Sequence, residues 1–428
     1  MTGDGAWFGA DVLIEEGTVK AVGTVAAPPG VATLDAAGAL VLPGFVQTHV
    51  HVVQSLARHR AEGLDLLAWL KNRVWPYEAA LTAGETAAAA RLGIAELLAT
   101  GTTTALDMGS THHHDSVFRA AEELGIRLSS GKCLMDSGDG APAALVEDTE
   151  DALASAEALG SRWHGAARGR LRYAVAPRFI LSCTPSLLAG AAELARRHGW
   201  LLHTHASENR RETALVRELT GLGNVAALAE HGISGDDTVL AHCVHLDEDE
   251  IALMASAGTG VAHCPGANLK LASGIADLPR LLEAGVRAGI GADGPPCNNR
   301  LSVFHEMALA GTLHNLAHGA GAVNPWTVLE LATWRGARLL GLPEPAGRIV
   351  PGAAADIVVL DSRAWAVEPL ADPAAAVVFG GGPEGVRHVL VAGVPLVVDH
   401  ELTRADGPQI RRDARKASAA IAQRLGWT

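Results

Sequence analysis

The chain has 428 residues, more than one hydrophobic core usually organises, so a large domain plus a smaller one is expected. Apolar residues make up 48% and charged residues 19%, an ordinary globular balance that excludes long disorder. Thirty-four basic against 47 acidic residues give a net charge of −13, which argues against nucleic acid or an anionic membrane as a partner.

Met1 to Ala10 has no basic stretch followed by an apolar core, so no secretory signal is expected. Asp11 to Thr24 holds two short apolar runs around Glu16-Gly17, a hairpin signal. Val46–Val50 opens a series of short, apolar, mostly non-alternating runs, as in strands buried on both faces of a parallel sheet. The others are Thr102–Met108, Leu128–Met135, Leu171–Pro177, Trp200–Ser207, Thr238–His245, Thr259–Pro265 and Arg287–Asp293. Helical stretches separate most of them. One is Gly84 to Ala99, with Thr82 and Glu85 spaced as a capping box and Gly101 as its stop. Eight strands alternating with helices predict an α/β fold, a (β/α)8 TIM-like barrel, with an open doubly wound sheet as the competitor. Further strands fall at 355–361 and 387–399, the latter bending at Ala392-Gly393. Strands at both chain ends cannot bury both faces alone, so they are expected to form one small β-sandwich domain. The expected division is 1–45 plus 346–428 for that domain and 46–345 for the barrel. No run approaches the ~18 apolar residues of a membrane span. The five scattered cysteines form no CxxC pair and suit reduced thiols in the cytoplasm.

Barrel active sites form at the C-terminal ends of the strands, and several of these strands end in metal-binding residue types. His49 and His51 stand two apart and so face one side of the first strand. His203 and His205 repeat the pattern on the fifth, His242 and His245 lie on the sixth, and Asp293 ends the eighth. A lone histidine is more often core than ligand, but such residues at four strand ends point to one ion. Nitrogen and carboxylate donors without thiolate suit zinc, with iron(II) or manganese as alternatives. Glu208, just past His205, is a solvated helix-start carboxylate or, beside a metal, a general acid–base group. A metal that makes hydroxide at neutral pH, with these groups around it, describes metal-assisted hydrolysis but not the bond broken.

The segments PGFVQTHVH, HTHASEN, LAHC, HCPGANLKLASG and GADG, in this order, resemble the amidohydrolase superfamily. The resemblance is closest to its aminohydrolase branch: guanine deaminase, the methylthioadenosine/adenosylhomocysteine deaminases and the s-triazine hydrolases. It spans nearly the whole chain and implies a distorted barrel with a single divalent metal held by His49, His51, His205 and Asp293. It further implies a hydrolytic deamination. Asp293 takes a proton from metal-bound water, hydroxide attacks an amino-bearing ring carbon, Glu208 protonates the adjacent ring nitrogen, His242 steadies the charge and ammonia leaves. Relatives usually start with a further strand, so the segment before Asp11 looks short.

Gln54 and Arg178-Phe179 resemble the purine grip of guanine deaminase. An arginine fork suits a ring carbonyl, an amide a donor–acceptor edge and a phenyl ring a π face. Gly291-Ala292-Asp293-Gly294 with Cys297-Asn298-Asn299, the stretch Leu66 to Leu70, and Trp75-Pro76 look more like the adenosine-type deaminases, which makes Trp75 and Asn298 candidate substrate contacts. The expected activity is therefore deamination of an aminopurine base or nucleoside, guanine-like or 5′-modified adenosine. An s-triazine chloro- or alkylaminohydrolase is the alternative, and a non-catalytic assembly protein of the same fold the remote one. His112, His113 and His114 match no ligand motif and read as a solvated loop. His245, His263 and His305 read as supports, with His263 the nearest to the site. The partner expected is a small heterocyclic substrate, with a homodimer as the assembly.

Overall fold

The computed structural model describes residues 7–427. The first six residues of the segment in which no leader is expected lie outside the described residues.

The described residues form sixteen strands: β1 Asp11–Glu15, β2 Thr18–Gly23, β3 Ala39–Pro43, β4 Phe45–Val50, β5 Thr102–Asp107, β6 Arg127–Ser130, β7 Cys133–Leu134, β8 Leu171–Pro177, β9 Leu201–Ala206, β10 Thr238–His242, β11 Gly260–His263, β12 Ala288–Ile290, β13 Ile357–Asp361, β14 Val386–Val391, β15 Val394–Val398 and β16 Glu401–Leu402. Eight of them run parallel in the order β4-β5-β6-β8-β9-β10-β11-β12. The bridge between Val50 and Asp293 brings the last back to the first and closes the expected barrel. Its strands are buried along nearly their whole length, which is why they read as continuous apolar runs rather than alternating ones.

Several strands end earlier than their composition predicts, among them β12 at Ile290 and β11 at His263, and for two others the cause is visible. Leu128–Met135 breaks at Gly131, where a Cβ would lie 1.7 Å from the Ala174 carbonyl oxygen of β8. β10 stops at His242 because His242 and Cys243 take left-handed φ of 74° and 50°. The capping box of Thr82 and Glu85 opens the Ala83–Ala99 helix as its spacing predicts.

The second unit is a five-stranded antiparallel sheet, β16-β15-β14-β13-β3, with the β1–β2 hairpin laid against it. Glu16-Gly17 and Ala392-Gly393 both have two successive positive φ values, the backbone a tight hairpin turn demands. Alternation assigns the two faces. Leu42, Val358 and Leu360 join the core shared with the barrel, while Val41, Ile357 and Val359 pack with Val12, Ile14 and Val19 of the hairpin. The Arg127–Asp356 ion pair, at 2.9 Å, locks the sheet to the barrel.

The Gly407–Leu425 helix leaves the β layer. Its Ala414 and Ile421 pack against Leu56, Ala57, Tyr77, Leu81 and Ala89, on the outside of the segments that carry one wall of the site. Among the described residues no helix is long and apolar enough to cross a membrane.

Candidate active site

Four donors converge at the C-terminal mouth of the barrel. His49 and His51 come from the end of β4, His205 from β9, and Asp293 from just beyond β12. His49 Nε2 and His51 Nε2 lie 3.2 and 3.3 Å from Asp293 Oδ1, and His51 Nε2 lies 3.2 Å from His205 Nε2. His205 Nδ1 donates to the Arg178 carbonyl at 2.6 Å, so its Nε2 is a bare lone pair facing His51. Facing acceptors repel unless a cation lies between them. Tetrahedral zinc with bonds of about 2.0–2.1 Å spaces its ligands by roughly 3.4 Å, close to these three separations, and all four donor atoms lie within 4.8 Å of one another. Among the described residues this is the one group of three or more such side chains that fits an ion.

Burial lowers the pKa of all three histidines, keeping them in the neutral form a metal requires. Burial would push Asp293 up, but the contact with His49 and the neighbouring His242 and His51 rings hold it well below the usual carboxylate range. Asp293 sits at a φ of +59°, a strained conformation that costs about 1–3 kcal/mol outside glycine. It is held there by the His49 carbonyl, which accepts its N–H at 3.0 Å, and by the Gly294 N–H donated to its Oδ1 at 2.7 Å. Gly291 is required nearby, because a Cβ would stand 2.5 Å from the His49 carbonyl oxygen.

Glu208 and His242 form the opposite corner. His242 Nδ1 donates to Asn268 Oδ1 at 2.8 Å, leaving Nε2 3.4 Å from Glu208 Oε2 and 3.9 Å from Asp293 Oδ2. Burial pushes Glu208 up to about 7, with Asp293 and Glu212 adding to the rise and His242 opposing it. His242 rises because Glu208 and Asp293 outweigh its own burial. The pair therefore holds a proton near neutral pH. Ser273 donates to Glu208 Oε1 at 3.3 Å, and the Glu208 N–H is anchored on Glu212 Oε2 at 2.8 Å.

These groups open on one cavity, lined also by Gln54, Leu66, Trp69, Leu70, Arg178, Phe179 and Leu271. Gln54, Arg178 and Phe179 are thus brought to the site, whereas Trp75 and Asn298 are buried outside this lining. Trp75 packs in the apolar cluster with Trp69 and Phe179, while Asn298 donates to the Ala292 carbonyl at 2.8 Å and to Glu306 at 2.7 Å. Sequence reasoning missed Glu78. It is buried behind the wall, accepts from Gln54 Nε2 at 2.9 Å and pairs with Arg178 through both its oxygens. A carboxylate inside the aromatic run Trp75-Pro76-Tyr77-Glu78 was the available signal.

His114 corrects the solvated-loop expectation. It is buried, accepts from the Ser110 N–H at 3.3 Å and lies 3.0 Å from Ser130 Oγ, which donates to Asp107 at 2.6 Å. Asp107 in turn accepts the Val52 N–H at 2.9 Å, so this chain of bonds braces the backbone next to His51. His113 is exposed and His112 half-buried. His263 is buried against His314 and does not line the cavity.

A closed barrel with three neutral histidines, one aspartate and a buried proton-carrying pair at its mouth defines a metal-dependent hydrolase. The amidohydrolase family matches residues 40–396, and the chain belongs to that family. A 5-methylthioadenosine/S-adenosylhomocysteine deaminase of Natronomonas pharaonis is 39% identical over 97% of this chain and 94% of its own length. An adenosine deaminase of Xanthomonas campestris, solved with bound zinc, has a TM-score of 0.90 at 30% identity, covering 97% of this chain and 94% of that one. Guanine deaminase of E. coli has a TM-score of 0.83 at 30% identity, with 90% and 92% covered.

Proposed function

We propose that the chain is a hydrolytic deaminase of an aminopurine base or nucleoside, with 5′-modified adenosines as the leading class. The observation that carries this reading is the buried Glu208–His242 pair facing the four-donor cluster across one cavity. His49, His51, His205 and Asp293 would hold a divalent ion, whose chemistry when bound would be to lower the pKa of water to near neutral. Asp293, kept ionised, would be the acceptor for the proton of the attacking water. Glu208, poised near 7, gives a proton to the ring nitrogen beside the reacting carbon, so that the amine leaves as ammonia. His242, aimed by Asn268, steadies the developing charge. Trp69 and Phe179 offer π faces for a flat ring, and Leu66, Leu70 and Leu271 keep water out.

A guanine-like substrate is the second reading, supported by Gln54 and Arg178 in the wall. Zinc is proposed as the resident ion, with iron(II) and manganese as alternatives, and the zinc of the Xanthomonas relative supports it. A cytoplasmic location is supported by five free, buried cysteines. A homodimer is proposed from the resemblance, and light scattering checks it.

The test is ammonia release by zinc-loaded protein from guanine, adenosine, 5′-deoxyadenosine, methylthioadenosine, adenosylhomocysteine, pterins and melamine-type triazines. Turnover of the adenosines is expected. Turnover of guanine alone establishes the second reading. Chloride or alkylamine release from a triazine, without ammonia from any purine, overturns both.

A further inference from the structure

We propose that His203 is a positioning residue for the metal centre, setting the tautomer and aim of His49 through a histidine–histidine hydrogen bond. His203 and His205 are two apart on β9 and share its inward face, with His203 the more deeply buried. His203 Nε2 lies 2.8 Å from His49 Nδ1, with the rings edge to face. His203 Nδ1 has no hydrogen-bond partner among the described residues, so His49 is the one polar contact this ring makes there.

Two imidazole nitrogens at that distance share a single proton. With the proton on His49 Nδ1, His203 Nε2 accepts it and His49 Nε2 presents a lone pair toward His51, His205 and Asp293. With the proton on His203 Nε2, His49 must carry its own on Nε2, pointing into the donor cluster and blocking it. Binding an ion therefore requires His203 as the acceptor. The bond to an outer acceptor is the part of a metal site that fixes ring orientation and ligand basicity, usually through a carboxylate or carbonyl. His205 uses the Arg178 carbonyl in that way. His49 relies on a second imidazole, which serves only in one of its two tautomers.

The inference rests on the metal-dependent reading above, and zinc binding by competition with a chromophoric chelator tests them separately. His203→Leu is expected to weaken zinc binding by about 10–100-fold while circular dichroism and the metal-free Tm stay as in the parent. His203→Gln, which restores an acceptor oxygen, is expected to recover most of the affinity. Parent-like affinity in His203→Leu overturns the positioning role and leaves the metal site standing. A parent protein that takes up no zinc overturns both. If His203→Leu does not fold, 15N spectra of histidine-labelled, metal-free parent decide: a proton on His49 Nδ1 is expected, and a proton on His49 Nε2 overturns the inference.

Discussion

Glu208 and Asp293 are both buried carboxylates near His242, yet their surroundings drive them apart. Asp293 faces imidazoles and stays ionised, while burial, helped by Asp293 and Glu212, raises Glu208 to about 7. Glu208→Gln should therefore lower kcat by about 10²–10⁴-fold and leave bound zinc unchanged. Steady-state kinetics with metal analysis on the same sample checks this, and near-parent turnover removes Glu208 from the chemistry. The same shift has a consequence for stability. A carboxyl that titrates at 4.5 when unfolded and at about 7 when folded holds a proton that unfolding releases, so it costs stability as pH rises between those values. In metal-free protein, the Tm of Glu208→Gln relative to the parent should climb from pH 4.5 to 7 and level off above about 8. A flat difference would place the titration elsewhere. Glu78 is a third case. Its pair with Arg178 is nearly sealed, the two side chains being 2% and 4% exposed. Glu78→Ala leaves a buried guanidinium unpaired and should cost about 3–5 kcal/mol in urea unfolding, whereas Glu78→Ala with Arg178→Met should cost much less.

At the scale of elements, the site depends on a helix that carries none of its residues. The Gly407–Leu425 helix clamps the Val52–Ala57 turn, with Ser418 Oγ donating to the Leu56 carbonyl at 2.9 Å, and Arg424 reaches the Ala80 carbonyl at 2.9 Å. Gln54 stands on that turn and Glu78 on the helix Trp75–Ala80 beside it. Removing residues 407–428 should raise KM more than it lowers kcat and leave zinc content intact, since the metal donors come from strands. Kinetics and metal analysis of the truncated chain check this, and an equal loss in both constants would tie the helix to the chemistry itself. The helix also shows where sequence reasoning stops. The strand ends were legible because alternation puts His49 with His51, and His203 with His205, on one face, and because parallel strands announce themselves as apolar runs. The break at Gly131, the burial of His114 and the pairing of Glu78 with Arg178 are set by partners 43, 16 and 100 residues away. No local pattern encodes such contacts. The early end of β10 at His242 reflects backbone strain at the site itself, where local propensity is least informative.

The whole molecule adds a selection by charge. With 34 basic and 47 acidic residues it carries −13, so its long-range field repels anions while leaving neutral solutes alone. The cavity sharpens this. Its arginine, Arg178, has two of its nitrogens committed to Glu78, which leaves less of the fork for a ring carbonyl and none of its charge uncompensated. Both observations favour a neutral nucleoside over a nucleotide and an amino-purine over an oxo-purine. The expected order of kcat/KM is 5′-deoxyadenosine or methylthioadenosine first, guanine at least about tenfold lower, a difference of about 1.4 kcal/mol in transition-state binding, and adenosine 5′-monophosphate lowest. Salt separates the two causes. Raising ionic strength from about 0.01 M to about 0.1 M shortens the screening length from about 30 Å to about 10 Å. That should improve the monophosphate and leave the neutral nucleosides nearly unchanged. If the monophosphate stays poor at both salt concentrations, the cavity itself excludes it. If guanine proves the fastest, Arg178 must exchange Glu78 for the ring carbonyl when substrate binds, and Glu78→Gln should then alter guanine turnover more than adenosine turnover.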